Sequence, residues 1–194
     1  GWLGAIFSLP QLAAMLIEPI QGNCCGILAR ADYVHLARRL CDQYGVMLII
    51  DEVKSGFRVG KSGIQGILGV KPDITTFAKA MGNGYPIAVV AGREDVMRTF
   101  RYGGASHGGT YTAHSVSLAA AEECLRILDE TPALETLAGH GRNLMTGISA
   151  ILNARGIVPF LDMAYQGFAD GLEADAVAVR RFAAACPVVL VSTS

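Results

Sequence analysis

The chain has 194 residues, a net charge of −1 and no basic block, which argues against a nucleic-acid surface built on phosphate contacts. Hydrophobic residues make up 52% and charged residues only 17%, so the chain can bury a sizeable core, and disorder is argued against. No apolar run approaches the roughly 18 residues of a membrane span, and the opening "GWLGAIFSLPQL" lacks the basic leader and small-residue cleavage site of a signal peptide.

Short apolar runs alternate with amphipathic stretches along the chain. "AAMLIEP" (13–19) reads as a strand closed by Pro19. "ADYVHLARRLCDQYG" (31–45) sets Tyr33, Val34, Ala37, Leu40, Cys41 and Tyr44 near helical spacing, with Gly45 as a stop. "VMLIIDEV" (46–53) is the strongest strand, and "DITTFA" (73–78) and "PIAVVAG" (86–92) are two more. Helices are predicted over 113–130 and 133–156, the second weakened by Gly139, Gly141 and Gly147. A strand over 157–162, a helix over 173–186 and a strand over 188–194 complete the order. Strands separated by helices imply an α/β fold with a mainly parallel, twisted sheet and helices on its faces. Cys24, Cys25, Cys41, Cys124 and Cys186 are odd in number and lack metal-ligand spacing. They read as reduced thiols of a cytoplasmic protein that holds no metal.

Sites in parallel sheets gather at the carboxyl ends of the strands. Asp51, Lys79 and Asp162 all fall near such ends. Lys79 lies in the otherwise uncharged, Gly-rich stretch "FAKAMGNGYP" (77–86), where an ammonium is costly to bury. A Schiff base with an aldehyde relieves that cost, and an aspartate at a neighbouring strand end could hold a protonated pyridine nitrogen. Pyridoxal 5′-phosphate (PLP) supplies both groups. On residues alone a plainer alternative stays open, in which Lys79 extends to the surface and Asp51 caps a turn. Glu52, next to Asp51, is expected on the opposite face of the strand end. His107 and His114 read as loop hydrogen-bonding residues, and Arg58, Arg93 and Arg101 as surface residues.

"MLIEPIQGN", "LIIDEVKSGFR", "KPDITTFAKAMGNGYPIAVVAGR" and "HGGTYTAHSVSLAAA" strongly resemble the class III, fold type I PLP-dependent aminotransferases, closest in tone to the glutamate-1-semialdehyde aminomutase branch. The match covers about residues 13–156. It implies a partial fold type I large domain and an aminotransferase or aminomutase acting on a small-molecule amino donor and acceptor. By the same match Lys79 would form the Schiff base and shuttle the proton. Asp51 would hold the pyridine nitrogen, Val53 would pack on the ring, and Thr110 would contact the phosphate held by the other subunit of a homodimer. Many relatives have glutamine at the position of Lys54, so the ring-hydroxyl contact does not carry over.

From about residue 150 to 194 the sequence resembles instead the class I aspartate and aromatic amino-acid aminotransferases. There Asp162 and Tyr165 would take the pyridine and ring-hydroxyl roles. A join near residue 157 implies a chimera of two aminotransferase pieces, a class III-like fragment over 1–156 and a class I-like strand-helix-strand over 157–194, expected in one globular unit. No Gly-Ser/Thr phosphate loop precedes residue 13. The expectation is therefore weak PLP binding and little turnover, with a folded but non-catalytic chimera as the alternative.

Overall fold

The computed structural model describes residues 12–23, 26–100, 104–162 and 177–192. They fall into two compact units, one drawn from residues 1–20 and 31–131, the other from 21–30 and 132–194.

The first unit is built on a four-stranded sheet. Its strands are β1 (Ala14–Ile17), β2 (Met47–Asp51), β3 (Ile74–Phe77) and β4 (Val89–Gly92), ordered β1-β2-β3-β4. β1 and β2 run parallel with Ala14 opposite Met47, and β2 and β3 run parallel with Asp51 opposite Thr76. β4 is antiparallel to β3, pairing Ile74 with Gly92 and Phe77 with Val89. The sheet is thus mainly parallel with one antiparallel edge.

Helix α1 (Ala31–Tyr44) makes the crossover from β1 to β2. Its buried residues Val34, Ala37 and Cys41 recur at three- and four-residue steps and form one stripe, and the helix packs on β2. Leu48 and Ile50 alternate to the same buried face and are 0% exposed. Burying a side chain of this size stabilises by about 1.5–3 kcal/mol. Leu16 and Met47 remain 61% and 39% exposed, so helices do not cover every strand position among the described residues.

The sheet register is fixed by a buried polar knot as well as by the core. Asp73, at the entry to β3, is 4% exposed. Its Oδ2 accepts from the Leu48 N–H at 2.7 Å and from Arg38 Nη1 at 2.8 Å, while Oδ1 accepts from Arg93 Nη1 at 2.6 Å. The Asp73 N–H donates back to the Leu48 carbonyl at 2.9 Å. One carboxylate therefore ties α1, β2, β3 and the start of the segment after β4. Burial acts to raise the Asp73 carboxyl and is the largest influence on it, but the Leu48 N–H and the two guanidinium groups together hold it below the usual range.

The second unit contains α4 (Ala133–Ala154), α5 (Val177–Ala185) and two short parallel strands, β5 (Phe160–Asp162) and β6 (Leu190–Ser192). The strands and helices expected there are present within the described residues. α4 has no buried residue along its 22 positions. In the first unit, α2 (Gly63–Leu68) follows the β2 loop and α3 (Ser115–Glu130) lies within the predicted 113–130 helix.

Candidate active site

The carboxyl edge of β2 and β3 begins with a carboxylate pair that splits in two. Asp51 ends β2, half-buried, and its Oδ1 accepts from the Val53 N–H at 2.9 Å and from the Thr76 hydroxyl at 3.1 Å. Its Oδ2 has no hydrogen-bond partner among the described residues. The Val53 contact is a local aspartate turn, which shapes the chain as it leaves the strand. Thr76 is the register partner of Asp51, so its hydroxyl reaches the carboxylate straight across the ladder.

Glu52 points the other way, as the strand alternation requires, and is 0% exposed. Its carboxylate accepts from the Ser55 hydroxyl and from the Gln65 N–H at 2.8 Å, the latter in the first turn of α2. Negative charge at a helix N-terminus is favourable, and the orphan N–H there needs an acceptor. Gly63 sits against this carboxylate with φ +64°, and any Cβ there would collide with it. The two neighbours therefore have separate tasks: Glu52 locks the following loop, and Asp51 keeps an oxygen free at the edge.

Lys79 lies two residues beyond the end of β3, at the same sheet edge as Asp51. It opens a single 3-10 turn, Lys79–Met81, and adopts φ +49°, a left-handed conformation uncommon for a side chain of this kind. Such backbone persists where the surroundings over-determine it, and it is frequent at functional sites. The lysine is exposed, and its side chain has no hydrogen-bond or ion-pair partner among the described residues. The chain has four lysines. Lys54 pairs with Glu18 at 3.7 Å and Lys61 with Asp129 at 3.0 Å, whereas Lys79 holds no carboxylate.

Lys79 lines a cavity of about 470 Å3 with Arg58, Asn83 and Tyr85. Thr110 lines a second cavity of about 490 Å3, with Tyr111, His114 and Ser117. Pro86 and Ile87 border both. Asp51 and Val53 line neither. The four expected site residues thus lie in the first unit, with Asp51, Val53 and Lys79 along one sheet edge and Thr110 in an exposed turn beyond the 86–87 segment. His114 shares a hydrogen bond between Nδ1 and the Ser117 hydroxyl at 2.8 Å and stacks edge-on against Tyr111, which fits a loop-ordering role at the start of α3.

Asp162 ends β5, and its side chain lies outside the described residues, as do Tyr165 and Arg101. Among the described residues no cluster of side chains could hold a metal ion, and no helix is long and apolar enough to cross a membrane. Sequence reasoning passed over Asp73 and the placement of Arg58 in the Lys79 cavity. The only signal for Asp73 was an aspartate at a strand entry, where a turn role is the default. Arg58 is exposed, as a surface residue should be, and it also lines the Lys79 cavity, a placement seven residues past a strand end that spacing does not show.

The aminotransferase class-III family matches residues 7–159 of the chain. Glutamate-1-semialdehyde 2,1-aminomutase of Clostridium kluyveri is 41% identical over 150 residues, covering 75% of this chain and 35% of the relative. The enzyme of the same name from Herminiimonas arsenicoxydans is 37% identical over 148 residues, covering 76% and 35%. Among solved structures, an omega-transaminase from Sphaerobacter thermophilus superposes with TM-score 0.63 at 37% identity, over 72% of this chain and 32% of that one. FumI of Sphingopyxis sp. MTA144, in its PLP internal aldimine form, gives TM-score 0.67 at 32% identity, over 77% and 37%. The chain spans about a third of the length of the curated relatives it matches. By its motifs and its sheet, the chain belongs to the class III aminotransferases.

Proposed function

We propose that this chain carries the lysine and pyridine-holding aspartate of a PLP-dependent aminotransferase or aminomutase. The observation that supports it most is the β2–β3 register, with Asp51 opposite Thr76 and Lys79 just past the end of β3. The donor set suits the cofactor. Asp51 has one oxygen committed to its own turn and to Thr76 and one oxygen uncommitted, which fits a protonated ring nitrogen. An unpartnered lysine fits an aldehyde. Bound PLP supplies that aldehyde and an electron-withdrawing pyridinium.

In this reading Lys79 Nζ would hold the aldehyde of bound PLP and, once the substrate amine has displaced it, would serve as the base and acid that moves a proton between the substrate Cα and the former aldehyde carbon. That nitrogen is carried by the first residue of the Lys79–Met81 turn, whose φ of +49° fixes the backbone there. The Asp51 carboxylate would keep the ring nitrogen protonated, with Thr76 and the Val53 N–H holding the carboxylate in place. Val53 would pack on the ring. Thr110 would contact the phosphate held by a partner subunit, so the site would be completed in a homodimer. The substrates are a small amino donor and acceptor. The free thiols Cys41, Cys124 and Cys186 accord with a cytoplasmic setting.

PLP titrated into the chain and followed by its visible absorption tests this. The visible band should be lost in Lys79→Ala, and Asp51→Asn should weaken binding by about tenfold, one charge-assisted hydrogen bond's worth. An undiminished band in Lys79→Ala would overturn the assignment. A second reading is a folded chimera without turnover. It predicts binding without amino transfer.

A further inference from the structure

The Lys79 cavity contains a second cation that nothing above uses. Arg58 lines it, and its side chain, like that of Lys79, has no hydrogen-bond or ion-pair partner among the described residues. Among the described residues no carboxylate lines this cavity, and Tyr85 and Asn83 are its other polar side chains. Arg58 and Lys79 are both exposed, and an anion entering this concave surface would meet two cations and no carboxylate among the described residues.

The placement of Arg58 is built into the fold. Gly56 closes a turn back to Glu52, its N–H donating to the Glu52 carbonyl at 2.8 Å, and the Arg58 N–H donates to the Ser55 carbonyl at 3.1 Å. Phe57, between them, is held at φ +60°. Its ring lies 5.3 Å from that of Phe77, the last residue of β3. A left-handed non-glycine residue thus stands beside Arg58, and Lys79 itself is left-handed. The Phe57–Phe77 contact clamps the two loops that present the two cations. Glu52 anchors this loop from the other side through Ser55 and Gln65.

We infer that Arg58 binds an oxyanion group, carboxylate or phosphate, of the compound whose aldehyde engages Lys79. A guanidinium offers a planar fork of donors matched to either group. The inference rests on the proposed role of Lys79 and adds to it a residue that selects acidic ligands.

Aldehyde trapping tests both parts separately. The neutral Lys79 amine adds to the aldehyde carbon, the oxygen departs as water with both amine protons, and a C=N bond forms. Borohydride then delivers hydride to that carbon, and solvent protonates the nitrogen, leaving a stable secondary amine. Two matched pairs are compared on the full chain: 4-carboxybenzaldehyde against benzaldehyde, and PLP against pyridoxal. The readout is the half-saturating concentration for labelling of the Lys79 peptide. Wild type should prefer the anionic member of at least one pair. Arg58→Ala should reduce that preference about tenfold, and Arg58→Lys should retain most of it. The pair that responds identifies the source, carboxylate or phosphate. Arg58→Gln, which keeps the apolar stem, serves if the alanine variant fails to fold. Labelling of Lys79 with both preferences unchanged within twofold in Arg58→Ala or Arg58→Gln would overturn this inference and leave the Lys79 assignment standing. Failure of every aldehyde to label Lys79 would overturn both.

Discussion

Helices α1 and α4 show how differently two regions of one chain satisfy the same hydrophobic periodicity. α1, with 14 residues, buries Val34, Ala37 and Cys41 against the sheet of its own unit. α4, with 22 residues, buries none, and Leu137, Leu144, Met145, Ile148 and Ile151 are 41–65% exposed on it. Both helices carry an amphipathic pattern. A pattern fixes which face wants cover, not whether a partner within the chain supplies it. The first unit also adds polar anchoring at Asp73 and Glu52, so its sheet edge is defined twice over.

Substitutions should separate the two regions sharply. The largest effect is expected at Asp73→Ala, which leaves the buried Leu48 N–H without its acceptor and Arg38 with Asp42 alone, and should cost about 3–5 kcal/mol in chemical denaturation. Leu48→Ala, a fully buried truncation, should cost about 2–5 kcal/mol. Gly56→Ala comes next. A Cβ there would stand 2.7 Å from the Glu52 carbonyl oxygen and from Phe77 Cδ1, so about 1–3 kcal/mol should be lost. Leu144→Ala on α4 should change stability by less than about 0.5 kcal/mol. A loss at Leu144 as large as that at Leu48 would break the contrast and place α4 in a core.

The Asp73 carboxyl also gives the contrast a pH signature. Its folded pKa is depressed, so between the folded and unfolded values the unfolded chain binds more protons. The stabilisation is complete above the unfolded value of about 4 and is lost as pH falls through the folded one. Denaturation midpoints should therefore drop below about pH 4 in wild type, with a shallower acid slope in Asp73→Asn. Equal slopes would remove Asp73 from the account.

The parts of this fold legible in sequence were those set by local period. β2, α1 and α3 announce themselves through Leu48–Ile50, Val34–Ala37–Cys41 and the 115–130 pattern. The antiparallel direction of β4 was not legible, because the segment from Ala78 to Ala88 can return the chain either way. Helix α2 was missed as well; its six residues depend on the Glu52 carboxylate at one end and a left-handed Gly69 at the other, not on periodicity. For the candidate site, strand ends placed Asp51 and Lys79 at one edge, and the motif resemblance supplied Val53 and Thr110. The left-handed Phe57 and Lys79 and the cavity shared with Arg58 arise from contacts between loops distant in sequence, which no window of residues encodes.

In the proposed site Asp51 and Lys79 act on one bound PLP. PLP reduced onto the chain with borohydride, followed by peptide mapping in wild type and Asp51→Asn, tests it most directly. The label should fall on Lys79, ahead of Lys54, Lys61 and Lys71, and its yield at limiting PLP should drop about tenfold in Asp51→Asn. Label spread evenly over the four lysines, or a Lys79 yield indifferent to Asp51→Asn, would contradict it.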